Sequence, residues 1–353
     1  MGDATRAETE ARPETEVKAT VTAEMVTAEM VTAGMVVAEM MIVEMVTAAM
    51  ANSVAGAETE TAVTIRIRIK NRTEMGKDKL RKFRENETFS CLLQPSAADV
   101  LAVVKVDDAA GDDTTGPDGE LLKRDGTLKD HPIKGHWASD FFKNDNPIVV
   151  ELGCGKGEYT IDLALRNPSI NYIGVDIKGA RLWKGAKYAE EHHLPNVAFL
   201  RTRIEFIEAL FGRDEVSEVW ITFADPQIGR EKKRLTSPLF LERYRNFLKP
   251  GGIVHLKTDS RYLHEYSRAV AEQNGLKILA CATDIYGADR QRLLESPLAS
   301  VSGADAVKAL FEVQTFYEKQ YLARGIDITY LAFTIDHEGL YISPDWNEEL
   351  YER

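Results

Sequence analysis

The chain has 353 residues, 44% of them hydrophobic, and a formal net charge of −12 at pH 7. Its length accommodates one large domain or two, with enough apolar residues for a substantial core. The acidic balance argues against a nonspecific binder of polyanions, although a local basic patch can still bind nucleic acid.

Cysteine usage and the N-terminal sequence indicate a cellular compartment. Cys91, Cys154 and Cys281 are widely spaced, which fits a reducing compartment and gives no metal-site pattern. The N-terminus lacks the apolar segment of a secretory signal. The most apolar run near it is interrupted by Glu39 and Glu44, which makes it a poor membrane span. We therefore expect a cytoplasmic protein that needs neither a membrane nor a metal.

The first part of the chain has an unusual composition. Residues 21–50 are a five-residue repeat (VTAEM, VTAEM, VTAGM, VVAEM, MIVEM, VTAAM), which builds no single face on a helix or a strand. All nine methionines lie at or before Met75, and all four tryptophans follow it. We interpret residues 1–74 as a low-complexity extension and Met75 as the biological start. The alternative is a genuine disordered tail.

A basic segment and an acidic segment come next. Nine Lys or Arg residues fall within 66–84, against two acids, which suggests either a phosphate-contacting arm or a solvated charged terminus. The stretch DDAAGDDTTGPDGE then indicates a loop insertion at about 99–130. We expect three regions: the extension over 1–74, the arm with its insertion over 75–140, and a folded domain over 141–353.

Strands and helices alternate from Pro147 onward. The predicted strands are 148–152, 171–176, 197–201, 217–223, 252–258, 277–282 and 328–335. The predicted helices are 158–166, 179–192, 204–211, 237–248 and 260–274. This alternation predicts an α/β fold, a Rossmann-like, doubly wound sheet of seven mostly parallel strands with helices on both faces. Its ligand should lie at the carboxyl ends of the strands.

The first predicted strand ends in a glycine turn, within VELGCGKGEYT. Gly153, Gly155 and Gly157 form G-x-G-x-G rather than the dinucleotide fingerprint G-x-G-x-x-G. Glycines here let the backbone approach a ligand closely. Glu151 before the turn suits a sulfonium or an ammonium group better than a pyrophosphate. Asp176, which ends the second strand, is placed to bind ribose hydroxyls. Together these features favour S-adenosylmethionine over the two alternatives, an NAD site and a purely structural glycine turn.

A resemblance to a known family extends beyond this turn. The motifs VELGCGKGEYT, NYIGVDIKGARLWKGAK, NVAFLRTRIE, VWITFADPQ, KKRLTSPLFLERY, LKPGGIVHLKTDS and TFYE resemble those of bacterial tRNA (guanine-N7)-methyltransferases, in the same order and spacing. The likeness runs from about Met75 to Phe333, apart from the acidic insertion. It implies a class I methyltransferase fold, S-adenosylmethionine as methyl donor, and N7 of the variable-loop guanine 46 of tRNA as acceptor.

The resemblance also implies cofactor-binding residues. Glu151 and Asp176 match acids that hold S-adenosylmethionine, and Asp225 in FADPQ matches the family's proposed catalytic carboxylate, which also lies against the cofactor. Thr202 stands where a third acid is often found, so its contact would come from its backbone. The implied cofactor-binding set is Glu151, Gly153, Gly155, Gly157, Asp176, Thr202 and Asp225.

The substrate-contacting positions implied by the resemblance lie in KTDS and TFYE. They are Asp259, Thr315, Phe316, Tyr317 and Glu318. The chain departs from the family pattern twice beside Asp225. Ala224 replaces the usual proline, and Gly229 replaces a lysine whose charge Arg230 or Lys232 would have to supply.

The chemistry of the reaction agrees with this assignment. N7 of guanine carries an in-plane lone pair and needs no deprotonation, so proximity and alignment dominate catalysis. Asp225 would therefore orient the guanine or the cofactor, and no catalytic Cys, metal or Ser-His pair is required. Asp225 could instead cap the segment that follows it.

A basic cluster follows Asp225 closely and consists of Arg230, Lys232, Lys233 and Arg234. At the ligand end of the sheet it suggests a clamp for tRNA phosphates, against the alternative of a solvated loop. A variable-loop guanine must leave its stack to react. Phe316 or Tyr317 could support it there, or either ring could belong to the core.

Other functions stay open on the sequence alone. A small-molecule methyltransferase would not need the basic cluster, KTDS and TFYE together. A tRNA-binding module that has lost catalysis would explain Ala224 and Gly229 but not the retained acids. An NAD oxidoreductase is disfavoured by the glycine spacing. We expect a monomeric enzyme whose partner is tRNA.

Overall fold

The computed structural model describes residues 78–102, 104–105, 114–115, 121–123, 126–302, 304–335 and 338–348. The chain divides into two compact units, Met1–Arg81 and Lys82–Arg353. Only residues 78–81 of the first unit are described, so the predictions for the repeat and for residues 1–74 lie outside the described part. No helix within the described ranges has the length and apolar character needed to cross a bilayer.

The second unit contains two sheets. Its strands in chain order are β1 (Leu92–Leu93), β2 (Val104–Lys105), β3 (Thr114–Thr115), β4 (Leu121–Lys123), β5 (Ile148–Leu152), β6 (Asn171–Asp176), β7 (Val197–Arg201), β8 (Val216–Thr222), β9 (Leu248–Thr258), β10 (Ile278–Ala282) and β11 (Thr329–Thr334). The smaller sheet has the order β2-β4-β3, with both pairs antiparallel. These short strands fall within the segment predicted as an insertion, much of which lies outside the described residues.

The larger sheet has eight strands in the order β1-β7-β6-β5-β8-β9-β11-β10. The first six strands in this order, β1-β7-β6-β5-β8-β9, pair in parallel with their neighbours. Strand β11 is antiparallel to both of its neighbours, β9 and β10. The predicted fold class, a mostly parallel Rossmann-like sheet, is confirmed. The sheet has eight strands instead of the seven expected because β1 adds a short edge strand beside β7.

Helices connect and cover the strands of the larger sheet. Residues 82–86 are helical. The further helices are α1 (Ala97–Val100), α2 (Glu158–Arg166), α3 (Gly179–Glu191), α4 (Pro238–Arg245), α5 (Arg261–Gln273), α6 (Arg290–Leu294), α7 (Pro297–Val301), α8 (Ala304–Glu312) and α9 (Phe316–Ala323). The segment predicted as a helix at 204–211 forms a shorter 3₁₀ helix over Ile204–Ala209. Trp137–Phe142 forms a π-helix.

Local sequence explains several helix starts. Ser260 caps α5, because its hydroxyl oxygen accepts a hydrogen bond from the backbone N–H of Leu263 at 3.1 Å. Helix α4 begins at Pro238, whose fixed φ suits the first helical turn and whose missing N–H costs nothing there. Thr315 and Glu318 form a capping box at the start of α9.

The core lies on both faces of the larger sheet. Every residue of β5 and β6 is buried, as expected for central parallel strands covered by helices on both sides. Alternate residues of β5 point to opposite faces: Val150 joins one apolar cluster and Val149 the other. Trp137 is fully buried in the first cluster and its ring nitrogen donates to the carbonyl of Leu210 at 2.9 Å.

Parallel pairing places the carboxyl ends of four strands at one edge of the sheet. Leu152 at the end of β5 is aligned with Val175 of β6 and with Ile221 of β8. Asp176 is aligned with Arg201, the last residue of β7. The segments that follow β5, β6, β7 and β8 therefore meet at this edge, where the strand order reverses and a ligand site is expected.

Candidate active site

The glycine turn after β5 is built from backbone conformations that favour glycine. Gly153, Gly155 and Gly157 have φ of 77°, 59° and 72°. The N–H groups of Gly153 and Cys154 donate to the carbonyl of Val175 at 2.8 and 3.0 Å, which ties the turn to β6. A Cβ at Gly157 would also lie 2.5 Å from Cε1 of Phe199, whereas Gly153 and Gly155 have open space beside them. Two of the glycines therefore leave room for a ligand, and the third lets α2 pack against the sheet.

Asp176 braces the same turn from the end of β6. Its Oδ2 accepts a hydrogen bond from the N–H of Gly155 at 3.0 Å, and its Oδ1 accepts one from the N–H of Lys178 at 2.7 Å. An ionised carboxylate has about four acceptor positions, so capacity remains for a ligand hydroxyl. Asp176 lines the cavity described below.

Glu151 lies beneath the turn. Its Oε2 accepts hydrogen bonds from the N–H and the hydroxyl of Thr160 at 2.9 and 2.5 Å, and its Oε1 accepts one from the hydroxyl of Thr222 at 2.6 Å. Burial raises the pKa of Glu151, and the hydrogen bonds from Thr160 and Thr222 oppose that shift. The carboxylate links β5, α2 and β8, and it is absent from the residues that line the cavity.

A cavity of about 510 Å³ opens at this edge of the sheet. Its volume falls within the range of small-molecule sites. Its lining residues are Gly153, Asp176, Ile177, Lys178, Arg181, Thr202, Arg203, Ile204, Glu205, Phe223, Ala224, Asp225, Gln227, Arg230, Lys233, Leu235 and Phe240. The structure thus brings together four of the predicted cofactor-binding residues, Gly153, Asp176, Thr202 and Asp225. Gly155, Gly157 and Glu151 are not among the residues that line it.

Asp225 sits on a strained turn after β8. Phe223 and Gln227, which flank it, have φ of 51° and 50°, a left-handed conformation that is uncommon for residues with side chains. Such strain persists only where the surrounding structure enforces it, and it is concentrated at functional sites. The exposed carboxylate of Asp225 accepts a hydrogen bond from the N–H of Gln227 at 3.0 Å. It therefore caps the turn locally and also lines the cavity.

The basic cluster after this turn divides into two kinds of side chain. Arg230 and Lys233 are exposed and line the cavity, and Lys232 is exposed beside them. Arg234 is fully buried, and its Nε donates to the carbonyl of Pro226 at 2.9 Å. The prediction that Arg234 contacts a tRNA phosphate therefore does not fit its placement, because a guanidinium enclosed by protein cannot reach a ligand outside.

Three further cations line the cavity that the sequence analysis did not single out. Lys178 and Arg181 follow β6, and Arg203 follows β7, and all three line the cavity beside Asp176 and Thr202. They follow β6 and β7, which lie on one side of β5 in the sheet, whereas the 230–233 loop follows β8 on the other side. Their charge is visible in GVDIKGAR and RTRIE, but only the parallel order of β6 and β7 indicates that they share one edge with Asp225.

The TFYE segment lies beside the glycine turn and outside the cavity lining. Phe316 and Tyr317 are 49% and 46% exposed, so they are surface aromatics and not part of the core. The N–H of Phe316 donates to Glu158 Oε2 at 3.0 Å, and the ammonium of Lys156 lies 4.7 Å from the centre of the Phe316 ring. The first turns of α9 and α2 are therefore adjacent.

The remaining predicted substrate residues are less accessible. Thr315 caps α9 by accepting a hydrogen bond from the N–H of Glu318 at 3.2 Å. Glu318 is fully buried and forms an ion pair with Lys257 at 2.6 Å, so it does not face a substrate here. Asp259 follows β9 and is half-buried, and burial raises its pKa. Among the described residues, no group of three or more His, Cys, Asp or Glu side chains is placed to hold a metal.

Comparisons with known proteins show which family this chain resembles. Residues 145–289 match the family model described as "Putative methyltransferase". The chain is 47% identical to a tRNA (guanine-N(7)-)-methyltransferase of Christiangramia forsetii, over 73% of this chain and 98% of that protein. It is 46% identical to one of Bacteroides fragilis, over 62% of this chain and 80% of that protein. Among solved structures, the 16S rRNA methyltransferase KamB aligns at a TM-score of 0.42 and 17% identity, over 62% of this chain and 97% of that one.

Proposed function

The chain belongs to the tRNA (guanine-N7)-methyltransferase family, and we propose that it transfers the methyl group of S-adenosylmethionine to N7 of the variable-loop guanine of tRNA. One structural observation carries the proposal. A cavity at the carboxyl ends of parallel strands collects the glycine turn, Asp176 and the strained Asp225 turn, and basic side chains surround it. The first group suits the cofactor and the second suits a polyanionic substrate.

The residues around the cavity fit S-adenosylmethionine. The open space beside Gly153 admits the amino-acid part of the cofactor next to the backbone. Asp176 has acceptor capacity for ribose hydroxyls. The half-exposed side chain of Ile177 and the neighbouring Ile204 offer an apolar surface to the adenine ring. Glu151, buried beneath the turn, places a carboxylate near a cofactor that carries positive charge.

The protein's task in the transfer is alignment. S-adenosylmethionine supplies an electrophilic methyl group on a positively charged sulfur. Guanine N7 presents its own lone pair, so no residue has to remove a proton before attack. Asp225 accepts hydrogen bonds from the N1–H and N2–H groups of the guanine and holds N7 in line with the methyl group. The strained turn fixes that carboxylate, and such positioning can supply a large part of the rate enhancement.

Two basic walls would hold the tRNA backbone. Arg230, Lys232 and Lys233 form one wall on the loop after Asp225. The residues of the other wall, which follow β6 and β7, are Lys178, Arg181 and Arg203. Contacts of this kind fix the register of a nucleic acid without reading its sequence. They give an otherwise acidic protein a local surface that attracts phosphate.

The exposed aromatics of α9 suit a base outside its stack. Phe316 and Tyr317 lie with ring centres 5.6 Å apart in an edge-on arrangement, beside the glycine turn. Proteins that act on a base commonly extrude it and stack it, or its neighbours, on aromatic side chains. We propose this role for Phe316 and Tyr317 and a supporting role for Thr315, Glu318 and Asp259 in placing them.

The decisive experiment is methyl transfer from labelled S-adenosylmethionine to an unmodified tRNA transcript, followed by nucleoside analysis of the digest. We expect the label as 7-methylguanosine, and no label in a transcript whose variable-loop guanine is replaced by adenosine. Neutralising Arg230, Lys232 and Lys233 together should abolish transfer and preserve cofactor binding. Binding of the cofactor without any transfer to tRNA would overturn the proposal in favour of a small-molecule substrate or a binding module.

A further inference from the structure

We infer that Glu348 is a positioning residue for methyl transfer: acting through the buried Arg234, it fixes the turn that presents Asp225 to the cavity. The inference rests on the proposed function and concerns the same site. Glu348 lies far along the chain from every motif of the sequence analysis, in the segment that follows β11.

Arg234 holds the turn from inside the protein. Its Nε donates to the carbonyl of Pro226 at 2.9 Å, and its Nη2 donates to the carbonyl of Gln227 at 3.1 Å. These are the two carbonyls immediately after Asp225. The guanidinium also lies 4.0 Å from the centre of the Tyr266 ring. A planar group with several donors in fixed directions is well suited to hold two adjacent carbonyls at once.

Glu348 in turn fixes the Arg234 side chain and the loop around it. Its Oε1 accepts a hydrogen bond from Nη2 of Arg234 at 2.8 Å and another from the hydroxyl of Tyr262 at 2.6 Å. Its Oε2 accepts one from the N–H of Gly229 at 2.7 Å. One carboxylate therefore joins α5, the loop that carries Arg230 and the arginine behind the Asp225 turn.

The hydrogen bonds of Arg234 and Glu348 are needed because the turn that carries Asp225 is strained. Phe223 and Gln227 hold left-handed conformations on either side of Asp225, and such conformations persist only when the surrounding contacts over-determine them. Without Glu348, Arg234 would be a buried cation without its carboxylate partner, and the N–H of Gly229 would lose its acceptor. The turn could then relax, and Asp225 would no longer be held at one place in the cavity.

The test uses the full chain with Glu348→Ala, Glu348→Gln and a matched control, Glu338→Ala, which changes an exposed glutamate of the same C-terminal segment. We expect Glu348→Ala to lower kcat/KM for tRNA by about ten- to a hundredfold, the range for a small misplacement of a reacting group. Cofactor affinity should fall much less than kcat/KM, because the glycine turn and Asp176, which hold most of the cofactor, lie on other strands. Glu348→Gln should be intermediate, since its amide oxygen can still accept from Arg234.

A second measurement does not depend on catalysis. Hydrogen exchange of the amides of Gln227 and Gly229 should be faster in folded Glu348→Ala than in the wild type and the Glu338→Ala control. Unchanged exchange there would overturn the inference, as would a kcat/KM equal to that of the control in folded enzyme. If the wild type itself does not methylate tRNA, the proposed function fails, and the exchange measurement still decides the positioning role.

Discussion

The ammonium of Lys257 lies 2.6 Å from the carboxylate of Glu318, and both side chains are fully buried. Lys257 also donates to the hydroxyl of Tyr159 at 3.0 Å and to the carbonyl of Leu310 at 2.8 Å. Burial lowers the pKa of Lys257 to about 8, and the neighbouring Glu318 charge opposes that shift. The pair joins the end of β9 to the helix that displays Phe316, so it connects the KTDS and TFYE motifs.

Removing one member of this pair should be costly. Lys257→Met leaves the Glu318 carboxylate buried without its partner, and we expect a decrease of about 3 kcal/mol in the free energy of unfolding. Urea denaturation measures this decrease. Lys187→Met is the control, because Lys187 and Glu191 form an exposed pair worth about 1 kcal/mol or less. Combining Lys257→Met with Glu318→Leu should recover part of the stability. A single variant no less stable than the control would contradict this account.

Gly185→Ala should destabilise the protein, although alanine normally stabilises a helix relative to glycine. Alanine is favoured over glycine in a helix interior by about 1 kcal/mol. A Cβ at Gly185 in α3 would nevertheless lie 2.5 Å from Cζ of Phe199 and 2.8 Å from the carbonyl oxygen of Lys156 in the glycine turn. We expect Gly185→Ala to destabilise the protein by about 1–3 kcal/mol and to weaken cofactor binding.

Thermal unfolding and calorimetric titration with S-adenosylmethionine measure the two effects of Gly185→Ala. Lys184→Ala provides the comparison on the same helix, because its side chain is largely exposed. A Gly185→Ala protein at least as stable as Lys184→Ala, with the same cofactor affinity, would show that the turn tolerates displacement.

The buried carboxylate of Glu151 should lower the stability of the folded protein and strengthen cofactor binding. Burial raises its pKa, so the folded state disfavours the ionised form more than the unfolded state does. The stability contributed by this group is present below its unfolded pKa and declines as pH rises through the folded value. Glu151→Gln removes that decline, and its amide can still hydrogen-bond to Thr160 and Thr222.

The pH dependence of urea unfolding tests this assignment. Above about pH 4.3, the unperturbed value for glutamate, Glu151→Gln should gain stability relative to the wild type as pH rises. At neutral pH the same variant should bind S-adenosylmethionine about tenfold more weakly, equivalent to about 1.4 kcal/mol, because glutamine cannot supply the negative charge that a bound cationic ligand would favour at this position. Parallel stability curves for the two proteins would refute the buried-charge argument.

The strands that the sequence predicts well are the central ones. The predicted strands at 148–152 and 171–176 agree at both ends with β5 and β6, because both are short apolar runs covered on both faces. Strand β9 begins at Leu248, before the predicted 252, since the Lys249-Pro250-Gly251 stretch resembles a turn. The pairing of β8 with β9 is irregular between Val216 and Glu218, a feature that local sequence periodicity does not indicate.

The sequence pattern predicted which segments form the site, but it did not predict which side chains of those segments are buried. Arg234 and Glu318 are charged residues within motifs, so an outward orientation was the natural expectation. Both are buried, because each has an oppositely charged partner in a distant part of the chain, Glu348 and Lys257. Pairings across such sequence separations follow from strand order and loop packing, which local periodicity does not determine. The sequence analysis did not single out the cavity-lining cations Lys178, Arg181 and Arg203 for the same reason, since their shared position also follows from strand order.

Arg181 should contribute to tRNA binding through its charge. Removing one cation that neutralises a phosphate reduces the slope of log K against log salt by about 1. We expect this reduction for Arg181→Gln, with weaker binding to every tRNA tested and unchanged affinity for S-adenosylmethionine. Arg213→Gln is the control, because Arg213 is 90% exposed and precedes β8, at the opposite end of the strands from the cavity. Equal salt slopes for the two variants would remove Arg181 from the phosphate-binding surface.

Phe316 should act through stacking. A base stacked on an aromatic ring contributes about 1–3 kcal/mol, so Phe316→Ala should lower kcat/KM for tRNA by about five- to 150-fold. Phe316→Tyr keeps a ring and should retain most of the activity. Stability should change little, since half of the side chain is exposed. Leu340→Ala, at a side chain that is 79% exposed, is the control for removal of surface apolar area. If Phe316→Ala and Leu340→Ala methylate tRNA equally well, the ring stacks on no base, and the exposed aromatics of α9 have another use.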